Sequence, residues 1–494
     1  MSYSLLTEPW LPLIAMDGSR REASLKEALL EPHRWKGIEG GNPVETLSLY
    51  RLMLAIGHRA LGPSTDPRTP LMGAWPRGAI ETYLDQWADH FDLLHPERPF
   101  LQVQALAEAQ LSPSPWTRLA LDRASGAGRM IWDHSMDDRP EPQAYGAIAR
   151  LLIAHLQFTP GSLVKALRTS AVRGPACSLL LMLPLGETLQ QTLALNLCWQ
   201  TKEPYASDLP SWERPPLVIQ ELRNPLDVVI DGPAHRYTLL SRAVLLLPEN
   251  GQISRVLYAE GLKTGEETTP EADPMAATIV GKKGPMALLL NEQKAFWRDF
   301  HALNGSKGAK AALVVNHAIA IQEEQGEESR LELLAGGLLC DQAKILFWRL
   351  EQRRLSPMVL RRQNLITASQ KALDLAEETG SELNKALYLL CSEWLQRGSD
   401  KAPDPKAVRA LQQSIQASPV FWGRLESMFW AFIQQLGASA DPSSSLDSWR
   451  QELREAADKT WEHATSALGF DSRALAAAGS LDHRRRKILA SLKT

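Results

Sequence analysis

Cysteine is scarce in this chain of 494 residues, and long apolar runs are absent. The four cysteines (Cys177, Cys198, Cys340 and Cys391) lie far apart without a CxxC pair, so neither a disulfide framework nor a zinc ribbon is indicated. No apolar run reaches membrane-spanning length, and the N-terminus MSYSLLTEPWLPL has no basic region followed by an apolar one. We therefore expect a cytoplasmic protein with no membrane partner.

The short motifs of common enzymes are also missing. The glycine-lysine stretches GKKG (281–284) and GSKGAK (305–310) lack the GxxxxGK[ST] spacing of a phosphate-binding loop, and neither HExxH nor GxSxG occurs. In the stretch IWDHSMDD, His134 and its neighbouring aspartates could supply metal ligands, but contiguous acids before a proline-containing turn are usually solvated. The sequence thus favours a binding or assembly subunit over an enzyme, and it indicates no cofactor.

The composition is that of a soluble globular protein, with 44% hydrophobic and 22% charged residues. A net charge of -3 argues against nonspecific coating of nucleic acid, because that binding depends on releasing counterions from many phosphates. Local basic patches remain at 281–284, 305–310, 353–354, 361–362 and 483–487. Such patches are often only solvated surface.

The pattern of the chain changes near residue 365, which predicts an α+β protein with two domains, 1–365 and 366–494. The first part mixes short helices with strand-like runs, including hairpins around ENG (249–251) and GKKG. Four long amphipathic segments follow, at 366–397, 404–436, 444–468 and 473–492, and they predict a four-helix bundle. Pro419 should kink or interrupt the second of these helices.

The stretch LAGGLLCDQAKILFWRLEQRR (334–354) places two glycines and a polar step before a segment with helical spacing. Asp341 is a good N-cap for a helix that starts there, and Gln342 would lie exposed in its first turn. Taken alone, this pattern is typical of an ordinary capped helix start with no further role.

Several stretches together resemble the CasA family, the large subunit of the type I-E CRISPR surveillance complex Cascade. The start LLTEPWLPL, the segment HPERPFLQV (95–103) and the segment LPSWERP (209–215) are similar to family segments, in the same order. The resemblance covers essentially the whole chain. It implies a non-catalytic subunit that recognises the short protospacer-adjacent motif (PAM) in duplex DNA and wedges the duplex open for guide RNA.

The resemblance also implies specific DNA-binding residues. Lys282 or Lys283 falls where a lysine enters the PAM minor groove, and Gln342, followed by Lys344, falls at a glutamine wedge beneath the PAM. Asp341 replaces an amide expected beside that wedge, and capping of the helix is the role expected for it. The loop QFTPGSLVK supplies only Gly161 of a glycine-rich PAM-reading loop.

Partner contacts are implied in the same way. Trp132, Asp133 and His134 fall in a loop that contacts neighbouring subunits and the 5' handle of the guide RNA, although core packing is an alternative for Trp132. The C-terminal helices would help to recruit a helicase-nuclease. The cysteine-bound zinc of some relatives has no ligands in this sequence.

Two other hypotheses remain open at this point. The chain could be a scaffold that docks partners through its helical bundle without reading DNA, or an enzyme that uses the His134 cluster.

Overall fold

The structure, a computed structural model, describes residues 2–62, 73–123, 140–198, 208–264, 273–282, 284–324, 330–396, 401–438 and 441–492. It divides into two compact units that are interleaved in sequence. Unit 1 comprises Met1–Gln293 and Lys307–Arg354, and unit 2 comprises Lys294–Ser306 and Leu355–Thr494. Contacts thus divide the chain between residues 354 and 355, not at the predicted boundary of 365, and the roles predicted for domains 1–365 and 366–494 stay predictions.

Unit 1 combines short sheets with helices, as the predicted α+β class requires. Its strands are β1 (Leu11–Ala15), β2 (Arg20–Ala23), β3 (Trp35–Ile38), β4 (Ser114–Pro115), β5 (Leu181–Leu185), β6 (Asp227–Val228), β7 (Arg242–Glu249), β8 (Gln252–Glu260), β9 (Lys263–Thr264), β10 (Thr278–Gly281), β11 (Gly284–Ala287), β12 (Leu331–Asp341) and β13 (Lys344–Leu355). Its helices are α1 (Leu25–Leu30), α2 (Pro43–Leu61), α3 (Arg77–Gln86), α4 (Tyr145–Phe158), α5 (Leu189–Asn196), α6 (Ile219–Arg223), α7 (Pro233–Thr238) and, after α8 of unit 2, α9 (Leu313–Glu324).

The strands form sheets of two or three strands each. Their orders are β2-β1-β3, β4-β8-β7, β13-β12-β5, β10-β11 and the parallel pair β6-β9. Helix α2 lies among them and is buried on almost every side, including polar side chains such as Arg51. It starts at Asn42, whose side chain accepts a hydrogen bond from the backbone N–H of Glu45.

Both hairpins predicted in the first part of the chain are confirmed. Strands β7 and β8 meet at Asn250 and Gly251, which both have positive φ, at 51° and 80°. Two-residue hairpin turns prefer this backbone geometry, and Asn and Gly adopt it readily. The sequence ENG therefore predicted the hairpin correctly. Strands β10 and β11 close with Gly281 opposite Gly284.

The helix predicted to start at Asp341 is wrong. Residues 331–355 instead form the hairpin β12–β13, with Gln342 and Ala343 in the turn, and Asp341 ends a strand rather than capping a helix. Along β13 exposed and half-buried side chains alternate with period two, as in a strand with one face to solvent. The apolar spacing of residues 344–355 also suits a helix, but pairing with the buried strand β12 makes the segment a strand.

Unit 2 is helical. Its helices are α8 (His301–Asn304), α10 (Pro357–Arg361), α11 (Gln363–Gln396), α12 (Pro405–Ile415), α13 (Ala417–Ala438), α14 (Pro442–Ala467) and α15 (Ser472–Ser491). The predicted interruption of the second long helix is confirmed: it breaks at Gln416, which has a φ of 56°, and Pro419 lies in the first turn of α13. Helix α11 contacts each of the four helices that follow it, while the four-helix bundle itself stays a prediction.

An aromatic cluster forms the core of unit 2. Trp297 packs against Phe429 at 4.9 Å between ring centroids and against Trp449 at 6.4 Å. The indole N–H of Trp449 donates to the backbone carbonyl of Ala372 at 2.9 Å. The segment Lys294–Ser306 therefore joins unit 2 through its aromatic side chains. Among the residues that the structure describes, no helix is both long and apolar enough to cross a bilayer.

Candidate nucleic-acid interface

The segment from Ser178 to Leu185 connects the two hairpins that carry the candidate DNA-binding residues. On one side, β5 pairs antiparallel with β12, from Glu332 opposite Leu185 to Gly336 opposite Leu181. On its other side, the backbone N–H of Leu180 donates to the carbonyl of Leu288 at 3.0 Å, and that of Leu290 to Ser178 at 3.0 Å. The hairpins β10–β11 and β12–β13 are therefore parts of one hydrogen-bonded framework in unit 1.

Gln342 is exposed at the tip of the β12–β13 hairpin, with exposed neighbours Ala343 and Lys344. Its φ of 51° lies in the left-handed region, which is uncommon for a residue other than glycine. The strand that leads to it is anchored by Ser178, whose N–H donates to Leu338 O at 2.9 Å and whose Oγ accepts from the N–H of Cys340 at 3.2 Å. The tip therefore projects from a strand that is fixed to within two residues of Gln342.

Lys282 is exposed in the turn of the β10–β11 hairpin, whereas Lys283 lies outside the described residues. A second basic segment flanks this hairpin. Thr278 exchanges both backbone hydrogen bonds with Lys310, at 2.9 and 2.7 Å, and a Cβ placed on Gly308 would lie 3.2 Å from Val280 Cγ2. The exposed residues Lys307 and Lys310 thus run beside the strand that ends near Lys282. The sequence showed both basic patches but not that they are adjacent.

Gly161 lies in the loop that leads from α4 into the Ser178–Leu185 segment. Ser162 and Ala171 close this loop with a pair of backbone hydrogen bonds of 3.1 and 2.9 Å. A Cβ on Gly161 would meet the Arg173 N at an ordinary 3.5 Å, but a Cβ on Gly174 would lie 2.6 Å from the carbonyl oxygen of Gln157. Close packing therefore requires glycine at 174, a position that sequence reasoning missed.

Strand β13 exposes an apolar stripe next to Gln342. Leu346, Trp348 and Leu350 are 46%, 36% and 37% exposed, and they share a face with Lys344. Exposed contiguous apolar side chains commonly mark a contact surface for another molecule. Sequence reasoning missed this stripe because it assigned the segment to an amphipathic helix.

Trp132, Asp133 and His134 lie outside the described residues, and so does the acidic stretch around them. Within the ranges that are described, no three His, Cys, Asp or Glu side chains form a group that could hold a metal ion. The buried histidine His155 instead contacts the Tyr258 hydroxyl at 2.9 Å, and burial lowers its pKa to about 3. That side chain is a neutral part of the core.

Comparison with known proteins assigns the family. A curated relative from Thermus thermophilus, "CRISPR-associated protein CasA/Cse1", is 34% identical over 99% of this chain and 98% of that protein. A crystal structure of CasA from Thermus thermophilus matches with a TM-score of 0.87 and 32% identity, over 99% of this chain and 100% of that one. A chain of a "CRISPR RNA-guided surveillance complex" has the same fold, with a TM-score of 0.79 at 22% identity over 99% of each chain. The family described as CRISPR-associated protein Cse1 matches residues 4–460, and the chain belongs to this family.

Proposed function

We propose that this chain is the large, non-catalytic subunit of an RNA-guided Cascade complex, which recognises the PAM in duplex DNA and wedges the duplex open. One observation carries the proposal: Gln342 projects from a hairpin whose strand is anchored two residues away and which shares a hydrogen-bonded framework with the Lys282 hairpin. Membership in the Cse1 family supports assembly with other Cascade subunits and a guide RNA.

Lys282 is suited to minor-groove contact. It lies on a narrow two-stranded hairpin flanked by glycines, so its backbone can approach a groove that excludes wider elements. Lys283 and Lys344 are the proposed accompanying cations. The loop that contains Gly161 adjoins the same framework through Ser178, which supports its role as a third PAM-facing element.

Gln342 would act after the PAM is bound. Separating and unstacking a base step costs on the order of a few kcal/mol, and a side chain that occupies the vacated space offsets part of that cost. A hairpin tip fixed to within two residues loses little further conformational entropy when it inserts. The wedge is therefore preorganised for duplex opening.

The remaining roles concern partners. The apolar stripe of β13 supports contact with another subunit, and Trp132, Asp133 and His134 are proposed to face a subunit and the guide 5' handle. The helices of unit 2 would position partner subunits and the helicase-nuclease. A scaffold that docks partners without reading DNA is the alternative, and it predicts that neither Gln342 nor Lys282 affects binding of duplex.

The wedge is tested with Gln342→Ala in the assembled complex. We expect slower strand opening on duplex targets and normal binding to pre-melted targets, because a pre-melted site carries no unpairing cost. Strand opening is followed with a fluorescent base or permanganate. Asn250→Ala is the matched control, since Asn250 is also exposed at a two-residue hairpin tip with a φ of 51°. Equal losses on both targets, or none on either, would reject the wedge.

The lysine contacts are tested by salt dependence. Replacing Lys282 and Lys283 by Ala should weaken binding of duplex and reduce the log-log salt slope by roughly 0.9 for each phosphate that is no longer neutralised. The matched control is Lys385→Ala, on an exposed face of α11 in unit 2. An unchanged affinity and slope across the salt series would remove both lysines from the interface.

A further inference from the structure

Two of the four cysteines meet beside the Gln342 hairpin, although they are far apart in sequence. Beyond the β5–β12 pairing, which ends at Leu181 and Gly336, the backbone N–H of Ser178 donates to the carbonyl of Leu338 at 2.9 Å and the Ser178 Oγ accepts from the N–H of Cys340 at 3.2 Å, so the segment of Cys177 lies beside that of Cys340. Each thiol shifts the pKa of the other, so the two side chains lie close together. The Cys177 Sγ also lies 3.8 Å from the hydroxyl of Ser178, which is itself bonded to the backbone of Cys340.

This geometry is compatible with a covalent bond. A disulfide joins residues on neighbouring backbone segments, with Cα atoms about 4.4–6.8 Å apart, and the Ser178–Cys340 hydrogen bond makes the segments of Cys177 and Cys340 neighbours. Both cysteines are reduced in the structure. Closing the bond therefore joins two side chains that already lie close together.

The environment favours the thiolate of Cys177, whereas the contact with Cys177 and burial raise the pKa of Cys340. The hydrogen bond from Cys340 lowers the pKa of Cys177, and the positive charge of Arg173 acts in the same direction, although burial opposes both. Burial raises the pKa of Cys198 to about 12 and that of Cys391 to about 11. Because the thiolate is the reactive form, oxidation should begin at Cys177, with Cys340 as the neighbouring thiol that completes the bond. Cys340 is only half-buried, which gives a small oxidant access.

We propose that Cys177 and Cys340 form a reversible disulfide when the protein meets a peroxide. One thiolate attacks the peroxide oxygen and becomes a sulfenic acid, with release of the first water after protonation. The partner thiol then displaces the second water and the S–S bond forms. Altogether two thiols lose two protons and two electrons, and hydrogen peroxide is reduced to two waters. A dithiol reverses the reaction by exchange.

The bond would join the end of the 159–176 loop to β12, two residues before Gln342. Oxidation should therefore hold the hairpin more tightly to the Ser178–Leu185 segment. This consequence rests on the contacts of unit 1 and not on the proposed DNA-binding function.

The test treats the full chain with hydrogen peroxide, alkylates the remaining thiols in denaturant and maps the peptides by mass spectrometry. We expect a Cys177–Cys340 cross-linked peptide, two alkylated thiols instead of four, restoration by dithiothreitol, and slower amide exchange over β12 in the oxidised protein. The double variant Cys198→Ser, Cys391→Ser should still form the bond, whereas Cys177→Ser should not. Four unmodified thiols, a dimer linked through Cys340, or sulfinic acid without the cross-link would each overturn the proposal.

Discussion

At the scale of single residues, unit 1 contains a fully buried ion pair between Arg51 and Asp273. Both side chains are fully buried, with Arg51 Nη1 at 3.0 Å from Asp273 Oδ2. Arg51 also donates to the Gln157 Oε1 at 2.9 Å and packs over the ring of Tyr237. The charge of Arg51 is therefore compensated within the core, and removing its partner would leave a buried cation.

Asp273→Ala should lower the free energy of unfolding by about 3–5 kcal/mol, because an uncompensated buried charge is costly. The measurement is urea unfolding followed by circular dichroism. Glu39→Ala is the matched control, since it breaks an ion pair with Arg20 in which the Arg20 and Glu39 side chains are 76% and 40% exposed. We expect that control to cost at most about 1 kcal/mol. Equal effects of the two substitutions would contradict the assignment.

Single residues also show where sequence reasoning succeeds. Gln342 is exposed as expected, although on a hairpin tip and not in the first turn of a helix, and Lys282 lies in the predicted turn of the GKKG hairpin, whose glycines leave a local signal. Gly174 and the Cys177–Cys340 contact were missed. Both depend on close approach between segments distant in sequence, which no local pattern records.

At the scale of elements, contacts between segments distant in sequence also explain why the helix predicted at Asp341 is wrong. The glycines at 336 and 337, which precede the segment predicted to be a helix, lie inside β12. A Cβ on Gly336 would lie 2.4 Å from the carbonyl oxygen of Arg349, and one on Gly337 would lie 2.3 Å from that of Leu179. Glycine is thus needed there so that the neighbouring backbones can approach on each side. The hairpins at ENG and GKKG were predictable because their turns are specified locally.

Gly380 lies in the middle of α11, and there we expect alanine to destabilise the protein, although helix propensity alone favours alanine over glycine. Alanine normally stabilises an exposed helix position by about 1 kcal/mol relative to glycine. At Gly380, however, a Cβ would lie 2.5 Å from Trp422 Cζ2 and 3.1 Å from a ring carbon of Phe421. We expect Gly380→Ala to lower the unfolding free energy of unit 2 by roughly 1–3 kcal/mol through overpacking.

Gly423→Ala is the control for that substitution. Gly423 lies in α13, and a Cβ there would meet nothing within 4 Å. Gly423→Ala should therefore raise the melting temperature while Gly380→Ala lowers it. A rise in both, measured by thermal unfolding of the full chain, would show that α11 and α13 are not held in close contact at Gly380.

At the scale of the whole molecule, the chain is not divided by a single cut. The change of pattern near residue 365 indicated where the long helices begin, and α11 does begin at Gln363. What the sequence could not indicate is that residues 294–306, within the mixed region, pack in the helical unit. The aromatic spacing of these residues would suit the core of either unit, so only tertiary contacts determine to which unit they belong.

This division predicts how truncation should behave. A chain that ends at Arg354 keeps Phe296, Trp297 and Phe300, which are buried in the intact protein, but lacks the helices that cover them. The exposed aromatic surface should cause association and precipitation. Replacing residues 294–306 in the truncated chain by a Gly/Ser segment of equal length should restore a monodisperse unit 1, measured by size-exclusion chromatography with light scattering. Because both truncated chains lack the same helices, a difference between them isolates the aromatic segment. Equal aggregation of the two chains would mean that unit 1 depends on unit 2 for its folding, and equal solubility would mean that the segment 294–306 is not bound to the helices of unit 2 in solution.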